Sequence, residues 1–115
     1  MTTQAPILDS KAIEAMHTWG IFQAKMAEAS FREQHGEPMY CGFAWVSVHK
    51  VRSNSKLGKA LQAVGFKRSY DRSLQLWNPG GSSTQSMDIK ECGARAYAKV
   101  LAENGINAYA GSRAD

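Results

Sequence analysis

The chain has 115 residues, 43% of them hydrophobic and 21% charged, and its formal net charge is +4. This length predicts a single domain whose core is large enough to be stable without a structural disulfide or metal. No apolar run approaches the about 20 residues of a membrane span, and the N-terminus lacks the basic start and apolar centre of a secretion signal, so we expect a cytoplasmic protein.

The positive charge is concentrated in the middle of the chain. Residues 1–48 contain three Lys or Arg and five Asp or Glu. Residues 49–72 contain seven Lys or Arg and one Asp, and residues 73–115 contain four basic and four acidic residues. The basic middle segment is typical of a nucleic-acid-binding edge, although a solvated surface has the same composition.

The first third of the chain is predicted to be a tail followed by a helix. Residues 1–9 are expected to be flexible, and residues 10–35 have the spacing of an amphipathic helix. Its imperfect apolar stripe consists of Ile13, Met16, Gly20, Phe22 or Gln23, Met26 and Ala29, with Trp19 and Phe31 beside it. Because glycine costs a helix about 1 kcal/mol relative to alanine, Gly20 indicates either one weakened helix or a pair that meets at a bend.

Residues 40–115 are predicted to form an α+β core. Both parities of residues 40–48 are mostly apolar, which indicates a strand covered on both faces. A short helix ends before Gly65, and strands at 66–70 and 74–77 form a hairpin. After a flexible loop at 78–83, we expect a helix at 86–104, a strand at 106–110 and a C-terminal tail. Asp88 and Glu91 resemble a capping box at the start of that helix.

The order of these core elements is β-α-β-β-α-β. With right-handed crossovers it predicts a ferredoxin-like fold, a four-stranded antiparallel sheet of order 4-1-3-2 with two core helices and the additional N-terminal helix. The doubly apolar first strand would then lie inside the sheet.

That topology brings polar residues together at both ends of the sheet. One end is a candidate small-ligand site, where a glycine-rich loop enters a helix, and it contains Tyr40, Asn78, Gly80, Gly81, Gln85, Asp88, Arg113 and Asp115. A helix start favours an anion, although a turn, a cap and an ion pair of Arg113 explain the same residues. The other end is a candidate phosphate-contacting edge, which contains His49, Lys50, Arg52, Lys56 and Arg72.

Aromatic residues are predicted to share one face of the sheet. Phe43 and Trp45 have the same parity on the first strand, and Trp77 and Tyr109 lie on the strands beside it. We expect this face to be covered by the N-terminal helix or by a second subunit, because exposed aromatic sheets seldom stay bare. Stacking of nucleic-acid bases is the other interpretation, although the signature of RNA-recognition modules is absent.

No motif for catalysis or metal binding is recognisable. His17, His35 and His49 lack zinc-site spacing, and phosphate-loop, dinucleotide-binding and serine-hydrolase motifs are missing. Cys41 and Cys92 form no CxxC pair, which favours two reduced, buried thiols over a disulfide or a metal pair. We therefore expect no cofactor and no metal.

Several sequence strings resemble a known group of proteins. They are GEPMYCGFAWV at 36–46, NSK at 54–56, LWNPGG at 76–81, QSMDIKE at 85–91 and YAGSRAD at 109–115. On these strings, the chain resembles, over about residues 36–115, a family of small, functionally uncharacterised phage-encoded proteins. The resemblance implies a phage origin and expression in the bacterial cytoplasm, and it supplies no catalytic residues.

These observations favour a non-enzymatic accessory protein that acts by binding and is a homo-oligomer. Its partner is expected to be nucleic acid, contacted through the basic edge, or a host or phage protein. The alternative is a small-ligand-binding protein or enzyme that uses the end of the sheet at Asn78, Asp88 and Arg113. Steep salt dependence would distinguish the first function, and saturable stabilisation by one metabolite the second.

Overall fold

The computed structural model of the protein describes residues 8–115. In chain order it contains α1 (Ser10–His35), β1 (Gly42–Val48), α2 (Lys56–Ala63), β2 (Lys67–Arg68), β3 (Leu74–Trp77), α3 (Met87–Glu103) and β4 (Ala108–Ala114). The predicted α+β class and the order of the elements are therefore confirmed. None of the helices described combines the length and the apolar character that crossing a membrane requires.

The four strands form one antiparallel sheet in the order β2-β3-β1-β4, which is β4-β1-β3-β2 when read from the opposite edge. β1 is an inner strand, as expected, and pairs with β3 on one side and β4 on the other. β4 continues to Ala114, where it pairs with Gly42. The prediction of a C-terminal tail after residue 110 is therefore wrong, because these residues find backbone partners along the whole of β1.

The hydrophobic core lies on one face of the sheet. Ala44, Val46 and Val48 alternate along β1 and are almost completely buried. They pack in one cluster with residues of α2 and α3, including Leu61, Ala94, Tyr97, Ala98 and Leu101. The other parity of β1 is apolar as well, but no element within residues 8–115 packs over it. The described part of the chain therefore covers only one face of this strand, and cover of the other face by a second subunit stays a prediction.

α1 is one continuous helix of 26 residues that packs mainly on α3. The carboxylate of Asp9 accepts the N-terminal hydrogen bond from the Ala12 N–H at 2.9 Å, and Leu8 packs against the core. Of the predicted tail at 1–9, only these last two residues belong to the described part, and neither is free. Gly20 does not interrupt the helix; it leaves space for the ring of Tyr97, which a Cβ would approach to 2.7 Å.

The expected cover of the aromatic sheet face by α1 is not observed. The buried residues of α1, including Gly20 and Ala24, face α3, where Gly93 and Ala94 are also small and buried. Small residues on both helices allow their backbones to approach closely, which the aromatic surface of the sheet does not permit. The helical layer therefore has three members on one side of the sheet.

The start of α3 is capped by a different residue from the one predicted. The Ser86 hydroxyl accepts the hydrogen bond of the Ile89 N–H at 3.4 Å, whereas Asp88 lies within the first turn. Glu91 instead accepts a hydrogen bond from the Ser112 hydroxyl of β4 and pairs with Arg95 one turn later. The prediction of an Asp88–Glu91 capping box is therefore wrong, because a serine two residues earlier provides the cap.

Candidate functional site

An aromatic cluster lies on the uncovered face of the sheet. Trp45 and Trp77 are register partners on β1 and β3, and their rings stack with centroids 4.7 Å apart and an interplanar angle of 24°. Phe43 approaches Trp77 in a tilted arrangement at 6.0 Å. The Trp77 Nε1–H donates a hydrogen bond of 3.0 Å to the Gln75 side chain, which orients its indole. The predicted sharing of one face by these aromatic residues is therefore confirmed for β1 and β3.

The indole of Trp45 packs directly on Gly111 of β4. It is the register partner of Trp45 on that side, and a Cβ at this position would lie 2.7 Å from Nε1 and Cε2 of the indole. Any larger residue would push the ring away from β4, and with it the stack on Trp77. The sequence does not predict this role, because a glycine in a predicted tail carries no signal of what it contacts.

The aromatic cluster opens into a groove of about 910 Å³. Trp77 and Tyr109 keep 48% and 58% of their surface exposed, so both rings are accessible from solvent. Basic side chains line the same groove, namely those of Lys67, Arg68 and Arg113. Its acidic member, Asp71, accepts hydrogen bonds from the hydroxyl and N–H of Ser73, which hold the pKa of this carboxyl below its usual value. We call this surface the aromatic groove.

A second, basic groove of about 410 Å³ adjoins the first. Four of the five residues predicted for the phosphate-contacting edge line it, namely His49, Lys50, Arg52 and Arg72. Lys56, the fifth, is the first residue of α2 and is not part of this lining. Arg68 belongs to both grooves, as do His49 and Asp71. The two grooves therefore form one continuous surface.

Two cations of the basic groove have an unusual backbone conformation. Lys50 and Arg72 adopt φ angles of 61° and 69°, in the left-handed region that residues with long side chains rarely occupy. They lie in the loop after β1 and in the β2–β3 turn, which the sheet brings to one edge. Residues in this conformation cluster at ligand-binding and switch sites, which makes both cations candidates for a binding role.

The polar end of the sheet is assembled as the topology predicted. The Tyr40 carbonyl accepts a hydrogen bond from the Met87 N–H at 2.8 Å, and the Cys41 carbonyl accepts one from Asp115 at 3.1 Å. The Asn78 N–H donates to the Ala44 carbonyl at 3.0 Å, and the Gln85 carbonyl accepts from Gly42 at 3.2 Å. All four hydrogen bonds join backbone atoms. They hold the beginning of β1 beside the end of β3, the start of α3 and the C-terminal residue.

The side chains at this end are divided between the two faces of the sheet. Arg113 lies on the open face with its guanidinium 5.9 Å from the centre of the Phe43 ring, and Lys90 reaches the same ring at 5.4 Å. Asp88 belongs to the helix on the opposite face. Among the residues described, Arg113 forms no ion pair, so the predicted pairing with a carboxylate is not observed. The small-ligand site remains a prediction.

Glu28 of α1 is a buried carboxylate that sequence analysis did not single out. It is 2% exposed and lies between Gly80 and Gly93, where a Cβ on either glycine would overlap its carboxylate. Its Oε2 has no hydrogen-bond partner within the described part of the chain, and neither has Oδ1 of Asn78. Burial raises the pKa of Glu28, against the lowering effect of Arg32 and other nearby cations. A charged residue type gives no sequence signal of burial.

The loop at 78–83, expected to be flexible, is held against α1. Pro79 and Gly80 are buried, and the Arg32 guanidinium donates a hydrogen bond of 2.6 Å to the Ser82 hydroxyl. Asn78 closes the loop by donating from its amide to the Ser82 carbonyl at 2.9 Å. α1 therefore stabilises the segment that connects β3 to α3.

The cysteine and histidine residues are dispersed. Cys92 is half-buried and contacts the carbonyl of α1 residue Ala27, and burial raises the pKa of its thiol. Cys41 is exposed, so the prediction of two buried thiols is wrong for this residue. His17 accepts or donates a hydrogen bond of 2.6 Å with the Tyr97 hydroxyl. Within residues 8–115, no three His, Cys, Asp or Glu side chains are grouped as metal ligands.

Comparison with known proteins gives no further guide to the site. No protein-family model matches the chain, and neither a curated protein nor a solved structure shows significant similarity to it.

Proposed function

We propose that the protein binds single-stranded nucleic acid on the open face of its sheet. The observation that carries this proposal is the stacked pair Trp45–Trp77 on an uncovered surface that continues into a groove lined by cations. Bases stack on the aromatic groove, and the phosphates that follow them contact the basic groove. No chemical step is part of the proposal.

The aromatic groove has the chemistry that unpaired bases require. Every base has a π-face, and stacking on an aromatic side chain contributes about 1–3 kcal/mol per base. The exposed faces of Trp77 and Tyr109 lie on the two strands that flank β1, which supports the stacking of successive bases across the sheet. A duplex keeps its bases paired inside, so this mode of binding selects a single strand.

The charge around the grooves supports contacts with phosphates. Lys67, Arg68 and Arg113 line the aromatic groove, and the cations of the basic groove follow at its edge. Each phosphate that a cation neutralises releases a condensed counterion, so binding weakens as salt rises. Arg113 is available for this role, because it has no acidic partner among the described residues.

We further propose that the core is ferredoxin-like and that the protein is a phage accessory protein of the infected bacterial cytoplasm. The first statement is supported by the β-α-β-β-α-β order and the inner position of β1. The second is supported by the sequence strings at 36–46 and 109–115 alone. The alternative function, a small-ligand protein that uses Asn78, Asp88 and Arg113, has no supporting side-chain geometry.

A titration with a labelled single strand of about six nucleotides tests the proposal, because that length occupies one sheet face. Trp77→Ala is expected to weaken binding by about 5- to 150-fold, the equivalent of one lost stacking contact. Tyr40→Ala is the matched control, because Tyr40 is an aromatic residue of similar exposure, 58% against 48%, that lies outside both grooves. Lys67→Ala should lower the salt slope by about one.

Two outcomes of this titration would contradict the proposal. Absence of binding at about 50 mM salt would exclude nucleic acid as the partner of this face. Equal affinities of the Trp77→Ala and Tyr40→Ala variants would show that any binding observed does not use the aromatic groove.

A further inference from the structure

α1 has a second apolar stripe on the side that faces away from the protein. It consists of Ala15, Trp19, Phe22, Met26 and Ala29. Trp19, Phe22 and Met26 keep 55%, 50% and 54% of their surface exposed, and both alanines are exposed as well. The rings of Trp19 and Phe22 stack with centroids 5.5 Å apart and an interplanar angle of 21°. This is a contiguous apolar surface, which on a protein usually marks an interaction site.

The stripe lies opposite the buried face of the same helix. Its members follow one another at intervals of four, three, four and three residues, the spacing of a heptad seam. Gly20 and Ala24, which face α3, are about half a helical turn away from Trp19 and Phe22 on average. A helix that is apolar on two opposite sides fits between two partners, and α3 accounts for one of them.

We infer that the outer stripe of α1 pairs antiparallel with α1 of a second copy of this chain. A two-fold axis between residues 20 and 21 places Trp19 against Phe22 of the second copy, and Ala15 against Met26 of the second copy. Each large side chain then meets a ring or a small residue, so the stripe is complementary to itself. The inference is independent of the function proposed for the sheet.

The charges that flank the stripe favour the antiparallel orientation. With a rise of about 1.5 Å per residue, Glu14 and Lys25 of the second copy differ by about 3 Å along the shared axis. Lys11 and Glu33 of the second copy differ by about 4.5 Å in the same way. In a parallel pair, each of these residues would instead lie at the same level as the identical residue of the second copy, lysine with lysine and glutamate with glutamate. Charge complementarity therefore selects one orientation.

The area of the stripe predicts a reversible dimer. Three half-exposed large side chains from each copy contribute about 600 Å² in total, because one aromatic side chain buries about 150–250 Å² when fully covered. Standard stable interfaces bury about 1,200–2,000 Å², so the alanines and the stems of polar side chains must supply the rest. The contact uses the helical layer and leaves the aromatic groove of both copies free.

Light scattering or sedimentation of the full chain over about 5–500 µM tests the inference. We expect the mass of a dimer at the upper end, and a return to monomer for Trp19→Glu and for Phe22→Glu. Tyr70→Glu is the matched control, because Tyr70 is a fully exposed aromatic residue outside α1 and should leave the dimer intact. Far-UV circular dichroism confirms that each variant is folded. A wild-type monomer throughout this range, or a dimer that survives Trp19→Glu, would overturn the inference.

Cysteine crosslinking tests the orientation in a Cys41→Ser background, which removes the exposed native thiol. Ala15→Cys chains mixed with Met26→Cys chains should form a mixed disulfide dimer, because the antiparallel pairing brings these positions together. Ala15→Cys alone should not crosslink, since its two copies lie about 16 Å apart along the axis. Efficient crosslinking of Ala15→Cys alone would indicate a parallel pair and contradict the inference.

Discussion

Replacement of Gly20 by alanine tests how α1 is attached to the core. On an isolated helix this change is favourable by about 1 kcal/mol. Here a Cβ on Gly20 would lie 2.7 Å from Cδ2 and 2.8 Å from Cε2 of Tyr97, about 1 Å closer than the contact of two carbon atoms allows. The ring cannot easily retreat, because it is 1% exposed and its hydroxyl is hydrogen-bonded to His17 at 2.6 Å.

The two effects have opposite signs, and their sizes decide the outcome. Overpacking of a rigid core costs about 1–3 kcal/mol, from which the gain in helix propensity of about 1 kcal/mol is subtracted. We expect Gly20→Ala to lower the free energy of unfolding by about 1 kcal/mol, which corresponds to a fall of about 4 °C in Tm for a domain of this size.

A double-mutant cycle with Tyr97 separates the two effects. Urea unfolding is measured for the wild type, Gly20→Ala, Tyr97→Leu and the double variant. In the Tyr97→Leu background, Gly20→Ala should stabilise the protein by about 1 kcal/mol, because the ring that it overlaps is gone. In a Tyr97→Phe background the ring remains, so Gly20→Ala should still destabilise. Stabilisation by Gly20→Ala in the wild-type chain would refute the packing described for these two helices.

Three further predictions concern single side chains. Burial raises the pKa of Glu28, so the folded protein retains this proton while the unfolded chain loses it above about pH 4.5, and stability falls as pH rises through that range. Glu28→Gln should therefore gain stability relative to the wild type as pH rises above about 4.5 in thermal melts, and a pH-independent difference would contradict this. Ser86→Ala should lower the free energy of unfolding by about 1 kcal/mol through loss of the α3 cap, whereas the exposed Ser83→Ala should change it little in the same urea titration. Gly111→Val should displace the Trp45 indole, shift its fluorescence emission and weaken binding of a single strand; an unchanged spectrum would show that the indole does not rest on β4.

The sequence alone was sufficient to predict the core elements and their order. Alternation of Ala44, Val46 and Val48 with a second apolar set identified an inner strand, and Gly65 marked the end of the first core helix. These signals are local, because each depends on residues that are neighbours in one strand or one helix turn. The meeting of Asn78, Asp115 and the start of β1 followed from strand direction alone.

The position of α1 was not predictable in the same way. The sequence predicts one imperfect apolar stripe that combines the outer residue Trp19 with the inner residue Gly20, because periodicity does not show how many surfaces a helix contacts. The surface that α1 contacts is determined by shape complementarity. The close fit of Gly20 to Tyr97 favours packing of α1 on α3 over packing on the aromatic sheet face. Glu28 was overlooked for a related reason, since its burial depends on the space left by glycines that are distant in sequence.

The candidate site shows the same division. Amino-acid type and alternation determined that the chain has an inner strand with aromatic residues on one parity and a basic segment after it. Only the tertiary structure decided that this aromatic face is open, that Gly111 supports Trp45, and that Arg68 joins the two grooves. The physical reason is the separation along the chain of the residues that interact. Strand and helix patterns depend on residues close in sequence, whereas the exposure of a surface depends on which distant elements pack against it.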